Sequence, residues 1–174
     1  MTLVAAPPDS TEAAEYYFRY INQVPAGDIC EILESQLGET LTELGGVSEE
    51  RSLHRYAPDK WSYRQVLGHL NDVERLFTFR AFWFARGFDS PLPSFDEGHA
   101  MRYSGADQRS WRNHLEEFRQ VRGSTITLFR DLPPEAWAPR GMASGNPFSV
   151  RALAYLPAAH LIHHLKILRE RYGS

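Results

Sequence analysis

The chain has 174 residues, 43% of them hydrophobic and 24% charged, with a formal net charge of -3. That is enough apolar material for one sizeable core, and it predicts a single domain over 1–174; the slightly acidic balance excludes the broad cationic surface that nucleic acid requires. No run of about 18 apolar residues is free of charge, the lone Cys30 has no partner for an internal disulfide, and no lysine- or arginine-led apolar segment opens the chain, so the expectation is a cytoplasmic protein that does not span a membrane.

Residues 1–10, with Pro7 and Pro8, read as an irregular leader, and 11–24 as a short helix rich in tyrosine and phenylalanine that ends at Pro25-Ala26-Gly27. Asp28, with Glu31 three residues on, has the spacing of a capping box. Ile29, Leu33, Leu37, Leu41 and Leu44 then mark an apolar stripe running to Gly45-Gly46. Ser62 and Gln65 repeat the capping signature after Trp61, and the longest helical pattern in the chain follows, to Arg86, where Gly87 stops it. Over 89–105, Pro91, Pro93 and two glycines predict a crossover loop with one short helical turn near 96–103.

A third long helix over 107–131 places Trp111, Leu115, Phe118, Val121, Thr125 and Leu128 at spacings of three and four, and Pro133-Pro134 closes it. Residues 138–147 read as loop, after which Ser149 caps a last helix that continues to about Tyr172. Four long amphipathic helices and no alternating strand pattern predict an all-α four-helix up-and-down bundle with one long crossover loop.

The apolar residues of the last helix define a core register of Val150, Leu153, Pro157 and then positions 160, 164, Ile167 and 171, two of which are histidines. The second long helix gives Val66, position 69, Val73, Leu76 and position 80, which puts His69 and Arg80 on its inward stripe. Burying one unpartnered imidazole costs about 1–3 kcal/mol, so three in one small core demand a partner. A divalent cation meets that demand, because neutral imidazole ligates zinc, nickel or iron and residues four apart on a helix reach one ion. Core hydrogen bonding to carbonyls or carboxylates is the alternative for each ring. Spacing alone leaves His163 and His164 as rival partners for His160; the register favours His164 and sends His163 to the flank.

His54, His99 and His114 align with no core stripe and read as surface residues. Asp72 is either an exposed helical carboxylate or a group that orients a ligating imidazole, and Glu74 is expected to pair with a neighbouring arginine. Arg80 and Arg151 suit either a salt bridge or the orientation of an anionic substrate. Trp61, Trp83, Trp111 and Trp137 read as core or interface aromatics. Pro157 should bend the last helix one turn before His160. In His160-Leu161-Ile162-His163-His164, Leu161 stands where a zinc peptidase helix needs its catalytic glutamate, which disfavours that activity.

Several segments together resemble the DinB-like superfamily, specifically its DinB_2 branch, related to the YfiT-type metal-dependent hydrolases. They are Lys60-Trp61-Ser62 leading into Gly68-His69-Leu70-Asn71-Asp72, then Pro91-Leu92-Pro93-Ser94-Phe95-Asp96, and Ser144-Gly145-Asn146-Pro147-Phe148-Ser149 running on to Ala159-His160-Leu161-Ile162-His163-His164. Relatives often carry glycine and glutamate where Ala159 and Leu161 flank His160 here. The resemblance implies a four-helix bundle, often a homodimer, with His69, His160 and His164 as ligands of one divalent metal, zinc or nickel. It also implies a small-molecule substrate and, by analogy with characterised relatives, a low-molecular-weight thiol as cosubstrate. The expected function is a metal-dependent transferase or hydrolase in which the ion activates a thiol or water; the alternative is a non-catalytic metal-binding or ligand-sensing bundle.

Overall fold

In the computed structural model, which describes residues 6–173, six helices and one hairpin follow one another as α1 (Glu15–Ile21), α2 (Ile29–Gly45), α3 (Tyr63–Ala85), α4 (Glu97–Tyr103), α5 (Trp111–Arg130), β1 (Arg140–Ala143), β2 (Asn146–Ser149) and α6 (Val150–Arg171). Residues 1–5 of the expected leader lie outside this range. α2, α3, α5 and α6 form the bundle: α3 and α2 each pack against both α5 and α6, so α2 lies diagonal to α3 and α5 to α6. The long segment between α3 and α5 carries α4 and joins two neighbours. Among the described residues no helix is long and apolar enough to cross a membrane.

Local chemistry sets the helix starts. Asp28 caps α2 by accepting from the backbone N–H of Cys30 and Glu31, and Ser62 with Gln65 completes a reciprocal capping box at α3. Ser110 caps α5, which therefore begins at Trp111 and not at 107, since 106–108 form a separate 3₁₀ turn. The first helix is likewise shorter than the 11–24 expected, because Ala13 bridges to Phe148 and Ser149 N–H donates to the Glu12 carbonyl at 2.8 Å, drawing this segment onto the hairpin.

That hairpin corrects the reading of 138–147 as loop. β1 and β2 pair antiparallel through a two-residue turn in which Ser144 (φ 52°) and Gly145 (φ 72°) both have positive φ, the geometry that a tight hairpin turn requires. Its strands are four residues each, with one proline, too short to show an alternating pattern. Gly141 lets it lie flat on α3, since a Cβ there would overlap the Phe84 ring. The hairpin also holds the segment entering α4, as Leu92 N–H donates to the Met142 carbonyl and Ser144 N–H to the Leu92 carbonyl. It thereby fixes both α1 and α4, which wall the cavity described below.

The bundle centre is divided by buried polar groups. Arg122 of α5, fully buried, donates from Nε and a terminal nitrogen to both oxygens of Glu74 at 2.8 and 2.9 Å, so the arginine that pairs with this carboxylate comes from another helix. Its third nitrogen reaches Gln36 of α2 at 2.9 Å. His114, read from the sequence as a surface residue, is instead fully buried: its Nε2 donates to the Ala106 carbonyl at 2.8 Å and it packs beneath Gly68 of α3. It shares the inward face of α5 with Trp111, Phe118 and Val121 at helical spacing, a place that a polar residue does not advertise.

Candidate metal centre

α3 and α6 pack closely along their lengths, and this brings together the three histidines singled out from sequence. Nε2 of His160 lies 3.0 Å from Nε2 of His69 and 3.0 Å from Nε2 of His164. All three nitrogens fall within 4.8 Å of one another, and among the described residues this is the one group of three or more histidine, cysteine or carboxylate side chains with donor atoms so close. Tetrahedral coordination with bonds of about 2.0–2.1 Å places ligand nitrogens roughly 3.3 Å apart, close to the spacing of the two pairs that His160 makes.

The protonation chemistry points the same way. Burial pushes the His69 imidazole down to about 4; burial, then the neighbouring His69 and His163, bring His164 to about 3. His160 is held well below the ordinary value by burial and by the other histidines. All three rings are therefore neutral near pH 7. A neutral ring has one N–H, so the Nε2 of His160 makes a proper hydrogen bond with at most one of the two nitrogens facing it, and the other is left without one. An ion accepting all three resolves that conflict.

The register read from sequence needs correction in one respect. In the second half of α6 the core is filled by Leu161, Leu165, Leu168 and Tyr172, whereas His160, His164 and Ile167 are only half-buried and Arg171 is exposed. α6 is buried on every side from Ala152 to Ala159, so its apolar pattern does not distinguish two stripes about 100° apart. The histidines stand on the border between the core and a cleft; His69 alone is deeply buried, at 2% exposure.

That cleft is a cavity of about 240 Å³. Tyr16, Tyr17 and Tyr20 of α1 form one wall, and Val73 and Phe77 of α3 with Leu156 of α6 form another. The Trp61 ring packs on His69 with centroids 4.9 Å apart, and Phe77 meets His160 edge-on at 6.2 Å. His163, expected on the flank in contact with a helix or a partner subunit, lines the cavity and packs edge-on against Tyr20 of α1 at 5.1 Å.

Sequence reasoning missed Glu97. At the start of α4, its Oε2 lies 3.9 Å from the His69 Nε2, at the mouth of the cavity. Desolvation of the part that faces the cavity, and the charge of Asp96, raise its carboxyl above the usual range. Only the short helix over 96–103 was available as a signal, and nothing in it tied Glu97 to residues 28 and more positions away. Asp72 turns elsewhere, to Arg75 at 3.6 Å, and Arg151 pairs with Glu12 at 3.1 Å. His54 and His99 are exposed.

A helical bundle with three histidines converging from two helices beside a tyrosine-walled cleft is the architecture of a recognisable class. The profile of the DinB superfamily matches residues 32–168, and the chain belongs to that family. Among solved structures it is similar to YfiT from Bacillus subtilis, described as "a probable metal-dependent hydrolase with an unusual four-helix bundle topology", with a TM-score of 0.69 and 17% identity over 94% of this chain and 92% of that one. At that identity the likeness shows the fold. No curated protein matches the chain in sequence.

Proposed function

We propose that His69, His160 and His164 bind one divalent cation, zinc or nickel, through Nε2, and that the chain is a metal-dependent enzyme acting on a small molecule with water or a thiol as nucleophile. The observation that carries this reading is the meeting of three neutral imidazole nitrogens, two pairs of them 3.0 Å apart, beside a cavity that His160 and His164 line. Three protein ligands leave a coordination position open, the pattern of catalytic and not of structural sites. Membership of the DinB superfamily and the description of YfiT support it.

When bound, the ion supplies Lewis acidity, lowering the pKa of a water or thiol so that a nucleophile is available at neutral pH. Glu97 is placed to take the proton the nucleophile gives up and to return it to the leaving group, and its raised pKa brings it closer to the range in which a base can do both. Trp61 and Phe77 hold the His69 and His160 rings in their orientations and keep water from their flanks. The tyrosines of α1 limit what enters.

Elemental analysis of protein purified without chelator should give close to one ion per chain. His69→Ala, His160→Ala and His164→Ala should each lose it while helical circular dichroism persists. Turnover of an activated ester, or conjugation of a thiol to a small electrophile, should stop when the metal is stripped and return when it is restored. Well under one metal per chain, or activity indifferent to stripping, would end this reading.

A further inference from the structure

The polar side chains around the cavity are not equally engaged. None of the described residues that line it is a lysine or arginine, and Arg80, on the same stripe of α3, is turned to the Pro93 carbonyl at 3.0 Å and Ser144 Oγ at 2.7 Å. The hydroxyls of Tyr16 and Tyr20 meet at 3.2 Å, Glu97 stands beside His69, and the Tyr17 ring packs on Phe148 of the hairpin. His163 lines the same cavity, yet neither of its ring nitrogens makes a hydrogen bond or ion pair among the described residues. Nor is either nitrogen sealed inside the protein, as the unpartnered Nδ1 of His114 is.

Helix geometry puts this ring next to the three that converge. His163 comes three residues after His160, so the two share a face of α6, and it directly precedes His164. Its ring centroid is 5.1 Å from that of His164, and Tyr20 holds it edge-on from α1, also at 5.1 Å. It stands outside the group whose donor nitrogens all lie within 4.8 Å of one another, which makes it a neighbour of the ligand set and not a member. His69 is 2% exposed with the Trp61 ring against it, whereas His160 and His164 line the cavity. Whatever reaches an ion held by the three therefore comes from the cavity side, where His163 stands.

We propose that His163 is a substrate-binding residue: it does not ligate the ion but donates a hydrogen bond to an oxygen of the small molecule held at the open coordination position. The proposal rests on the metal-dependent reading. An ionised Glu97 can only accept, and the hydroxyls of Tyr16 and Tyr20 are engaged with one another, so an entering carbonyl or comparable oxygen finds its donor in the N–H that a neutral imidazole always keeps. The class of substrate this arrangement recognises carries such an oxygen next to the atom that meets the ion, on an apolar body that Val73, Phe77 and Leu156 accommodate.

The probe is acetohydroxamate, which chelates divalent ions through its oxygens, titrated into the cobalt(II)-loaded protein and followed by the visible bands of the ion. His163→Phe removes the N–H and keeps a ring for Tyr20, while His163→Gln and His163→Asn keep a donor near Nε2 and Nδ1 respectively. His163→Phe should bind acetohydroxamate about tenfold more weakly than the wild type, and one of the two amide variants should stay within about threefold of it. All three should hold one cobalt per chain and melt within about 2 °C of the wild type, which the loss of an ion ligand would not allow. Undetectable acetohydroxamate binding by the wild type, undiminished binding by His163→Phe, equal weakness in all three variants, or loss of cobalt or of the fold by His163→Phe would each overturn the proposal. Its failure is distinguishable from failure of the metal reading: a wild type that takes up no cobalt ends both, whereas one that binds cobalt and acetohydroxamate no better than His163→Phe does ends only this one.

Discussion

The Arg122–Glu74 pair offers the sharpest test of how the bundle is held. Both side chains are buried, and the guanidinium engages both carboxylate oxygens at 2.8 and 2.9 Å. Arg122→Met leaves the Glu74 carboxylate buried without a cation, which costs about 3–5 kcal/mol. For a chain of this size each kcal/mol moves the melting temperature by roughly 2–4 °C, so the expected loss is about 6–20 °C. Glu74→Met should cost a comparable amount, for the mirror reason. The double variant should recover most of the loss, because two apolar side chains of similar volume replace a pair whose desolvation nearly cancels its attraction. Thermal and urea denaturation of all four chains gives the coupling directly. Additive losses in the double variant, or single losses below about 1 kcal/mol, would show that the pair is not the bundle's central polar tie. The pair also bears on the site, since Arg122 approaches the Pro157 carbonyl at 3.5 Å, one turn before His160.

Three further outcomes follow from the structure. Gly141→Ala forces a methyl group into the Phe84 ring and should cost about 1–3 kcal/mol in denaturation, with the hairpin amides losing hydrogen-exchange protection first. Glu97→Gln should leave metal content and melting temperature unchanged while lowering kcat by about 100-fold or more, since it removes a proton acceptor and little packing. His114 is neutral in the fold because burial holds its pKa below 6.5, whereas in the unfolded chain it titrates near that value. The unfolded state therefore binds the extra proton, and stability present above pH 6.5 is lost as the pH falls below it, by at most about 1.4 kcal/mol per unit for this group. His114→Gln should show a shallower fall between pH 6.5 and 5 than the wild type; parallel curves would place the His114 pKa at its ordinary value.

Much of this chain is legible locally. The capping residues Asp28, Ser62 and Ser149 each start a helix where their side chains satisfy free N–H groups, because capping depends on residues two or three apart and on nothing else. Helical periodicity then identified four long helices, and a coincidence of histidines on the stripes of two of them selected 69, 160 and 164. The convergence of the three rings itself is not a local property. It depends on α3 lying against α6, and sequence patterns do not say which of four helices are neighbours and which lie diagonal.

What the amino-acid sequence determined alone is thus the four long helices, the starts that Asp28, Ser62 and Ser149 cap, and the histidines on their faces, since each follows from backbone hydrogen bonding and the 3.6-residue period. Tertiary structure decided the rest. The hairpin at 140–149 exists because Gly141 meets Phe84 and because Leu92 and Glu12 pair with its edges. Glu97 reaches His69 only once that hairpin has set α4 against the bundle. Those placements rest on contacts between residues tens of positions apart, whose partners no local pattern names.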